Sequence, residues 1–271
     1  MSGDPAHRLA GRVAIVTGGG RGLGRAMALG LARAGATVIA TAARETAELA
    51  ALSGVAGTEV AGRIVPVQAD VTQADDCERI VDRALHGQGR LDILINNAGR
   101  GMKYVSERFL TEPTRFWETD PAVWRMVIDT NVNGPFLMAR AAAPVMRAAG
   151  WGRIVNISMN RETMRRAGFS PYGPSKAALD AETAIWAQDL AGSGVTVNAL
   201  LPGGATLTGM IPGDVDPVLR AKLLDPGVIV PPLLWLASGA SDGITGMRFN
   251  AALWLGDADD DASADAAGER L

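Results

Sequence analysis

Apolar and polar positions fall along the chain in regular blocks. The run RVAIVTGG reads as a buried strand that ends in glycines, and the segment from Arg21 to Ala34 continues it with helix-forming residues. ATVIATA then predicts a second strand, RETAELAALSG a helix, RIVPVQADV a strand, ADDCERIVDRALHGQG a helix and LDILINNAG a strand. The alternation goes on with a long helix from about Asp120 through Ala148, the strand GRIVNIS, a helix from about Tyr172 to Ala191, and the strand VTVNALLPG. Strands that alternate with helices in this way predict an α/β fold, a doubly wound parallel sheet flanked by helices on both faces.

Two stretches interrupt the regularity. Residues 100–119 carry Met102, Tyr104, Phe109, Phe116 and Trp117 where a short loop would suffice, and residues 203–230 mix glycine, proline and apolar side chains. Both are expected above the carboxyl ends of strands, where such sheets bind ligands. The remaining divisions are a polar tail over 1–8, one domain over 9–256, and an acidic tail over 257–271 whose small residues predict disorder.

Composition narrows the function classes. A chain of 271 residues is long enough for one large domain with a full core. A net charge of −3 gives no electrostatic reason to expect nucleic acid as a partner. The single cysteine, Cys77, allows no internal disulfide, which fits a cytoplasmic setting. No basic leader with an apolar run opens the sequence and no stretch approaches 18 consecutive apolar residues, so neither export nor a membrane partner is expected.

Three motifs carry chemistry. In TGGGRGLG, Gly18, Gly22 and Gly24 permit a tight turn and close backbone approach to a pyrophosphate at a helix N-terminus, with Arg21 and Leu23 between them. Asn97, Ala98 and Gly99 close the fourth strand. Tyr172 and Lys176 stand four apart on a helix, so hydroxyl and ammonium share a face, and a nearby cation favours the phenolate that acid/base chemistry requires.

In this order and spacing the motifs resemble the short-chain dehydrogenase/reductase family over roughly residues 9–255, which implies a Rossmann-type fold. The resemblance implies that the glycine turn binds a nicotinamide dinucleotide, that Asp70 and Val71 lie beside the adenine, and that the NNAG segment lies behind the nicotinamide ribose. It makes Asn131 the residue that holds a water in a proton relay, Tyr172 the acid/base, and Lys176 the group that holds the ribose and lowers the tyrosine pKa. Pro202 and Gly203 match the motif before the substrate loop, and a homodimer or homotetramer through the helices carrying Asn131 and Tyr172 is implied.

One departure stands out. The family places a serine thirteen residues before the tyrosine, which here is Met159, and methionine donates no hydrogen bond. Ser158 taking the role, Asn160 supplying an amide donor, and Tyr172 acting alone are the three readings. At the end of the second strand Ala42 stands where an NAD-binding acid would be, and Arg44 follows, so NADP(H) is expected over NAD(H). The expected activity is hydride transfer between the cofactor and a carbonyl or secondary alcohol. The substrate is expected to be apolar or bulky, with Met102, Tyr104, Met159 and Asn160 near it. The rival is a dinucleotide-binding sensor or scaffold without catalysis.

Overall fold

The computed structural model of the chain describes residues 8–44, 47–52, 62–256 and 259–271. The first half alternates as its apolar blocks predict. β1 (Val13–Val16) leads to α1 (Gly22–Arg33), β2 (Thr37–Ala42), helix α2 over 47–52, β3 (Arg63–Gln68), α3 (Ala74–Gln88) and β4 (Ile93–Asn96). Then come α4 (Pro121–Ile128), α5 (Gly134–Ala148), β5 (Gly152–Ile157), the short α6 (Arg161–Met164), α7 (Tyr172–Asp189) and β6 (Val195–Leu201). The C-terminal part adds α8 (Pro217–Arg220), α9 (Val230–Leu236), β7 (Met247–Asn250), α10 (Asp260–Ala267) and β8 (Gly268–Arg270).

The strands form one sheet in the order β3-β2-β1-β4-β5-β6-β7-β8. All pairs are parallel except β7 with β8. The order reverses between β1 and β4, which opens a crevice at their carboxyl ends. Alternate residues of β1 serve opposite faces. Ala14 and Val16 join a core with Met27, Leu31, Leu233 and Trp235, while Val13 and Ile15 join one with Ile80, Met138, Met146 and Val197.

The predicted long helix from Asp120 to Ala148 is two helices joined by a π-turn over Asp129–Asn133. Asp120 caps its start by accepting from the Ala122 N–H at 2.7 Å. The sequence expectation of a disordered C-terminal tail is corrected for 259–271. Asp259 accepts from the Ala262 N–H, Asp260 and Asp261 occupy the first turn of α10 where the helix dipole favours them, and Ala264 and Ala267 are buried. The acidic composition is thus a helix start. Residues 1–7, in the expected N-terminal tail, and 257–258 lie outside the described residues. No described helix is long and apolar enough to cross a membrane.

Candidate active site

The turn from β1 into α1 approaches the end of β4 closely. Thr17 Oγ1 donates to the Ile95 carbonyl at 3.2 Å and accepts from the Asn97 and Ala98 N–H groups, both at 3.0 Å. The Asn97 amide donates to the carbonyls of Thr17 at 2.8 Å and Gly18 at 3.1 Å. Gly24 is obligatory here, because a Cβ would lie 2.0 Å from the Gly18 carbonyl oxygen and 2.6 Å from the Asn97 amide nitrogen. Arg21, the extended residue before α1, makes no side-chain cap, so no cap side chain competes for the first N–H groups of the helix.

Beside this turn lies a cleft of about 510 Å³. It is lined by Gly18, Arg21, Gly22, Leu23, Gly24, Ala42, Arg44, Asp70, Val71, Asn97, Ala98 and Gly99, together with Tyr104. These residues were singled out in the sequence, as was Met210 on the opposite side, which also lines the cleft; the cleft takes in as well Glu48, Arg100 and Lys103, which were not. A close glycine turn, an uncapped helix N-terminus and a cleft at the strand switch point fit a dinucleotide. A larger cavity of about 970 Å³ lies behind α1, against Leu207 and Val230; Tyr172, Lys176 and Asn131 line neither space, but their neighbours Gly99 and Thr130 line the cleft. Among the described residues there is no cluster fit for a metal ion.

Gly99 joins the cleft to the catalytic strip. A Cβ there would stand 3.3 Å from Asn131 Oδ1 and 3.9 Å from Lys176 Nζ. Asn131, buried in the π-turn, accepts from the Arg100 N–H at 2.8 Å and donates to the Arg100 carbonyl at 3.0 Å and to Ser175 Oγ at 2.9 Å. Ser175 in turn donates to the Tyr172 carbonyl at 2.7 Å. The asparagine therefore fixes both the cleft wall and the first turn of α7. Pro135 has no N–H to give the carbonyl four residues earlier, that of Asn131.

On α7, Tyr172 and Lys176 share a face, with Nζ 5.9 Å from the ring centroid. Lys176 Nζ donates to the Ile157 carbonyl at 2.7 Å. Burial pushes the ammonium down to about 8, against the opposing pull of the Asp180 charge. Burial also pushes the half-buried Tyr172 phenol up to about 12. In the protein alone, desolvation outweighs the Lys176 ammonium, which is itself weakened by burial and turned to a main-chain carbonyl.

The residues around the missing serine are all committed. Ser158 Oγ donates to Asp180 Oδ1 at 2.5 Å, and Asp180 Oδ2 stands 3.2 Å from Arg248 Nε. Arg248 also donates to the Met159 carbonyl and pairs with Glu269 at 2.8 Å. Asn160 Nδ2 donates to the Gly203 carbonyl at 2.8 Å, which ties it to the turn after Pro202. Met102 does not line the cleft but is buried, because its 3₁₀ turn directs position 102 inward and Tyr104 outward. Ser175, Asp180, Arg248 and Arg100 were not picked out from the sequence. Asp180 could have been found by extending the four-residue spacing of Tyr172 and Lys176 by one turn.

The geometry agrees with comparisons to known proteins. The family pattern described as short chain dehydrogenase matches residues 12–215. The chain is 33% identical over 249 residues to a 3-oxoacyl-[acyl-carrier-protein] reductase of Synechocystis sp., covering 89% of this chain and 96% of that one. It is 35% identical over 243 residues to a cis-4-hydroxycyclohexanecarboxylate dehydrogenase of Sinomonas cyclohexanicum, covering 87% and 92%. The crystal structure of a dehydrogenase/reductase from Sinorhizobium meliloti 1021 superposes with a TM-score of 0.77 at 32% identity, covering 89% of this chain and 93% of that one. With the glycine turn and the NNAG segment lining one cleft, and Lys176 of the Tyr172–Lys176 pair near its Gly99, the chain belongs to the short-chain dehydrogenase/reductase family, whose members are NAD(P)-dependent oxidoreductases.

Proposed function

We propose that this protein is an NADP(H)-preferring oxidoreductase that interconverts a ketone and a secondary alcohol, with Tyr172 exchanging the proton. Bound in the cleft, the nicotinamide supplies or takes up the hydride. The single observation that carries the reading is the placement of Tyr172 and Lys176 across Gly99 from the cleft. Gly18, Gly22, Leu23 and Gly24 would hold the pyrophosphate, Asp70 and Val71 the adenine side, and Asn97 to Gly99 with Lys176 the ribose beside the reacting ring. Pro202 and Gly203, which begin the segment that carries Thr208 to Met210, would position that side of the cleft.

As a phenol held at about 12, Tyr172 is a proton donor poised for carbonyl reduction. Lys176, once its ammonium turns from the Ile157 carbonyl to ribose hydroxyls, brings its charge to the phenol and eases the reverse step. The Asn131 carbonyl, to which Pro135 can give no N–H, would hold the water that resupplies the proton. Arg44 and Arg21 favour a 2′-phosphate and Ala42 offers no carboxylate against it, although Glu48 stands on the same lip. Tyr104 and Met210 give the outer cleft an apolar side, which suits an apolar or bulky substrate. Assembly as a dimer or tetramer through α5 and α7 is part of the same reading.

The test is oxidation of NADPH against a panel of cyclic and linear ketones, in parallel with NADH. Turnover with NADPH preferred is expected, and Ala42→Asp should shift the preference toward NADH by about tenfold or more, since each 1.4 kcal/mol is tenfold. Tenfold better kcat/KM with NADH in the unmodified protein would remove the cofactor assignment. Cofactor binding without turnover on any ketone would remove the catalytic one.

A further inference from the structure

A carbonyl reductase needs a donor opposite Tyr172 on the substrate oxygen, and the two side chains nearest the vacant serine position are spent. Ser158 has one hydroxyl proton, given to Asp180. Asn160 turns its amide away to Gly203, at the end of β6. The main chain between them is held in an unusual way. Arg248 is buried, with only 4% of its surface exposed, and is charge-balanced by Asp180 and Glu269, yet it spends one N–H on the Met159 carbonyl.

That grip sets a direction. Met159 follows the end of β5; Arg248 lies on β7, two strands away on one side, and the cofactor cleft opens at β1 and β4 on the other. In a trans peptide the C=O and the next N–H point opposite ways. With the Met159 carbonyl held by the Arg248 guanidinium, the Asn160 N–H faces away from that guanidinium. It donates to no protein acceptor among the described residues.

We propose that the Asn160 backbone N–H, oriented by Arg248 through the Met159 carbonyl, polarises the substrate oxygen in place of the absent serine hydroxyl. The inference rests on the carbonyl-reducing reading above. Asn160 would be a catalytic residue through its main chain, and Arg248 a positioning residue for it. The charge cluster beneath thereby acquires a purpose, since a buried arginine aimed at a loop carbonyl fixes that peptide more firmly than a neutral donor would.

Proline tests a main-chain donor directly. Asn160 has φ −59°, a value that proline adopts without strain, so Asn160→Pro removes the N–H and Asn160→Ala removes only the side chain. With NADPH and cyclohexanone, or the best ketone of the panel, Asn160→Ala, which loses the tie to Gly203 but keeps the main-chain N–H, should lose at least tenfold less kcat than Asn160→Pro. Asn160→Pro should lose on the order of 10²-fold with KM for NADPH unchanged, the scale of a lost oxyanion donor. Adding Met159→Ser to Asn160→Pro should restore at least tenfold, which also shows that the proline variant folds. Equal loss in the alanine and proline variants, or loss in neither, overturns the proposal. A readout independent of turnover is the Asn160 amide proton resonance in the unmodified protein, which should move downfield when ketone is added to the complex with oxidised cofactor, a combination that cannot react. A resonance that stays in place while ketone binds would also overturn it. Failure of the oxidoreductase reading itself shows differently, as cofactor binding with no turnover on any ketone in the unmodified protein.

Discussion

Tyr172 concentrates the chemistry in one hydroxyl, and two measurements isolate it. Tyr172→Phe should lower kcat by about 10²-fold or more while NADPH affinity stays within a few-fold, because acid/base transfer is worth about 10²–10⁴ and the cofactor is held mainly by other groups. Retention of a tenth of kcat would remove the assignment. The chain has only two tyrosines, so ultraviolet titration of a Tyr104→Phe variant reads Tyr172 alone. With its pKa raised to about 12 by burial, the phenol should stay protonated through about pH 10 without cofactor and should ionise at lower pH once NADP⁺ is bound. Titration below pH 9 in the free protein would contradict the burial argument. Tyr172, Lys176 and the glycine turn were legible in the sequence because short spacings carry their chemistry. The fate of Ser158 was not. Its partner Asp180 is 22 positions on, and the arginine that grips the Met159 carbonyl is 89 positions from it, distances that only the fold closes.

Elements show the same division between local and distant causes. The β1 turn and α1 were readable because a run of apolar residues ending in glycines admits few conformations, and Gly24 makes that turn testable. Gly24→Ala places a methyl group against the Gly18 carbonyl and the Asn97 amide, so the turn must open. NADPH affinity should fall more than tenfold, as read by quenching of cofactor fluorescence, while circular dichroism stays near that of the unmodified protein. Unchanged affinity would mean that the turn does not hold the pyrophosphate. Strand β7 went unread in the sequence because MRFN places an arginine at a buried position, and its charge is satisfied by α7 and β8 rather than by water. The C-terminal helix was hidden by composition, since acidic residues that suggest a solvated tail also suit a helix N-terminus. The π-turn, too, depends on Gly134–Pro135 within a pattern that reads as one continuous helix.

Across the whole molecule the sheet separates support from chemistry. At the amino ends of the central strands, Trp151 is flanked by the guanidiniums of Arg12 at 3.7 Å and Arg153 at 4.1 Å, and Asp92 joins Arg12 and Arg90. The Asp92 carboxyl is held below the usual range by these partners in spite of its burial. At the carboxyl ends the chain instead rises into the segment after Gly203. That segment is tied at its base, where Leu207 N–H donates to the Leu224 carbonyl and Leu224 N–H to the Ala205 carbonyl, both at 2.9 Å. Between these bonds it is a partition. Thr208 and Gly209 border both cavities, with Met210 on the cleft side and Leu207 and Ile211 on the outer side. A wall shared by two cavities couples them, and such coupling is reciprocal: whatever steadies one face changes the free energy of occupying the other. Ile211→Ala, which borders the outer cavity and not the cleft, should therefore change occupancy of the cleft, read as KM for the ketone and as NADPH affinity, and no change in either would show the partition to be rigid. Adaptation of this protein to a new substrate need not then begin at the cleft, because residues on the far side of the wall can tune selectivity without exposing the reacting atoms to change.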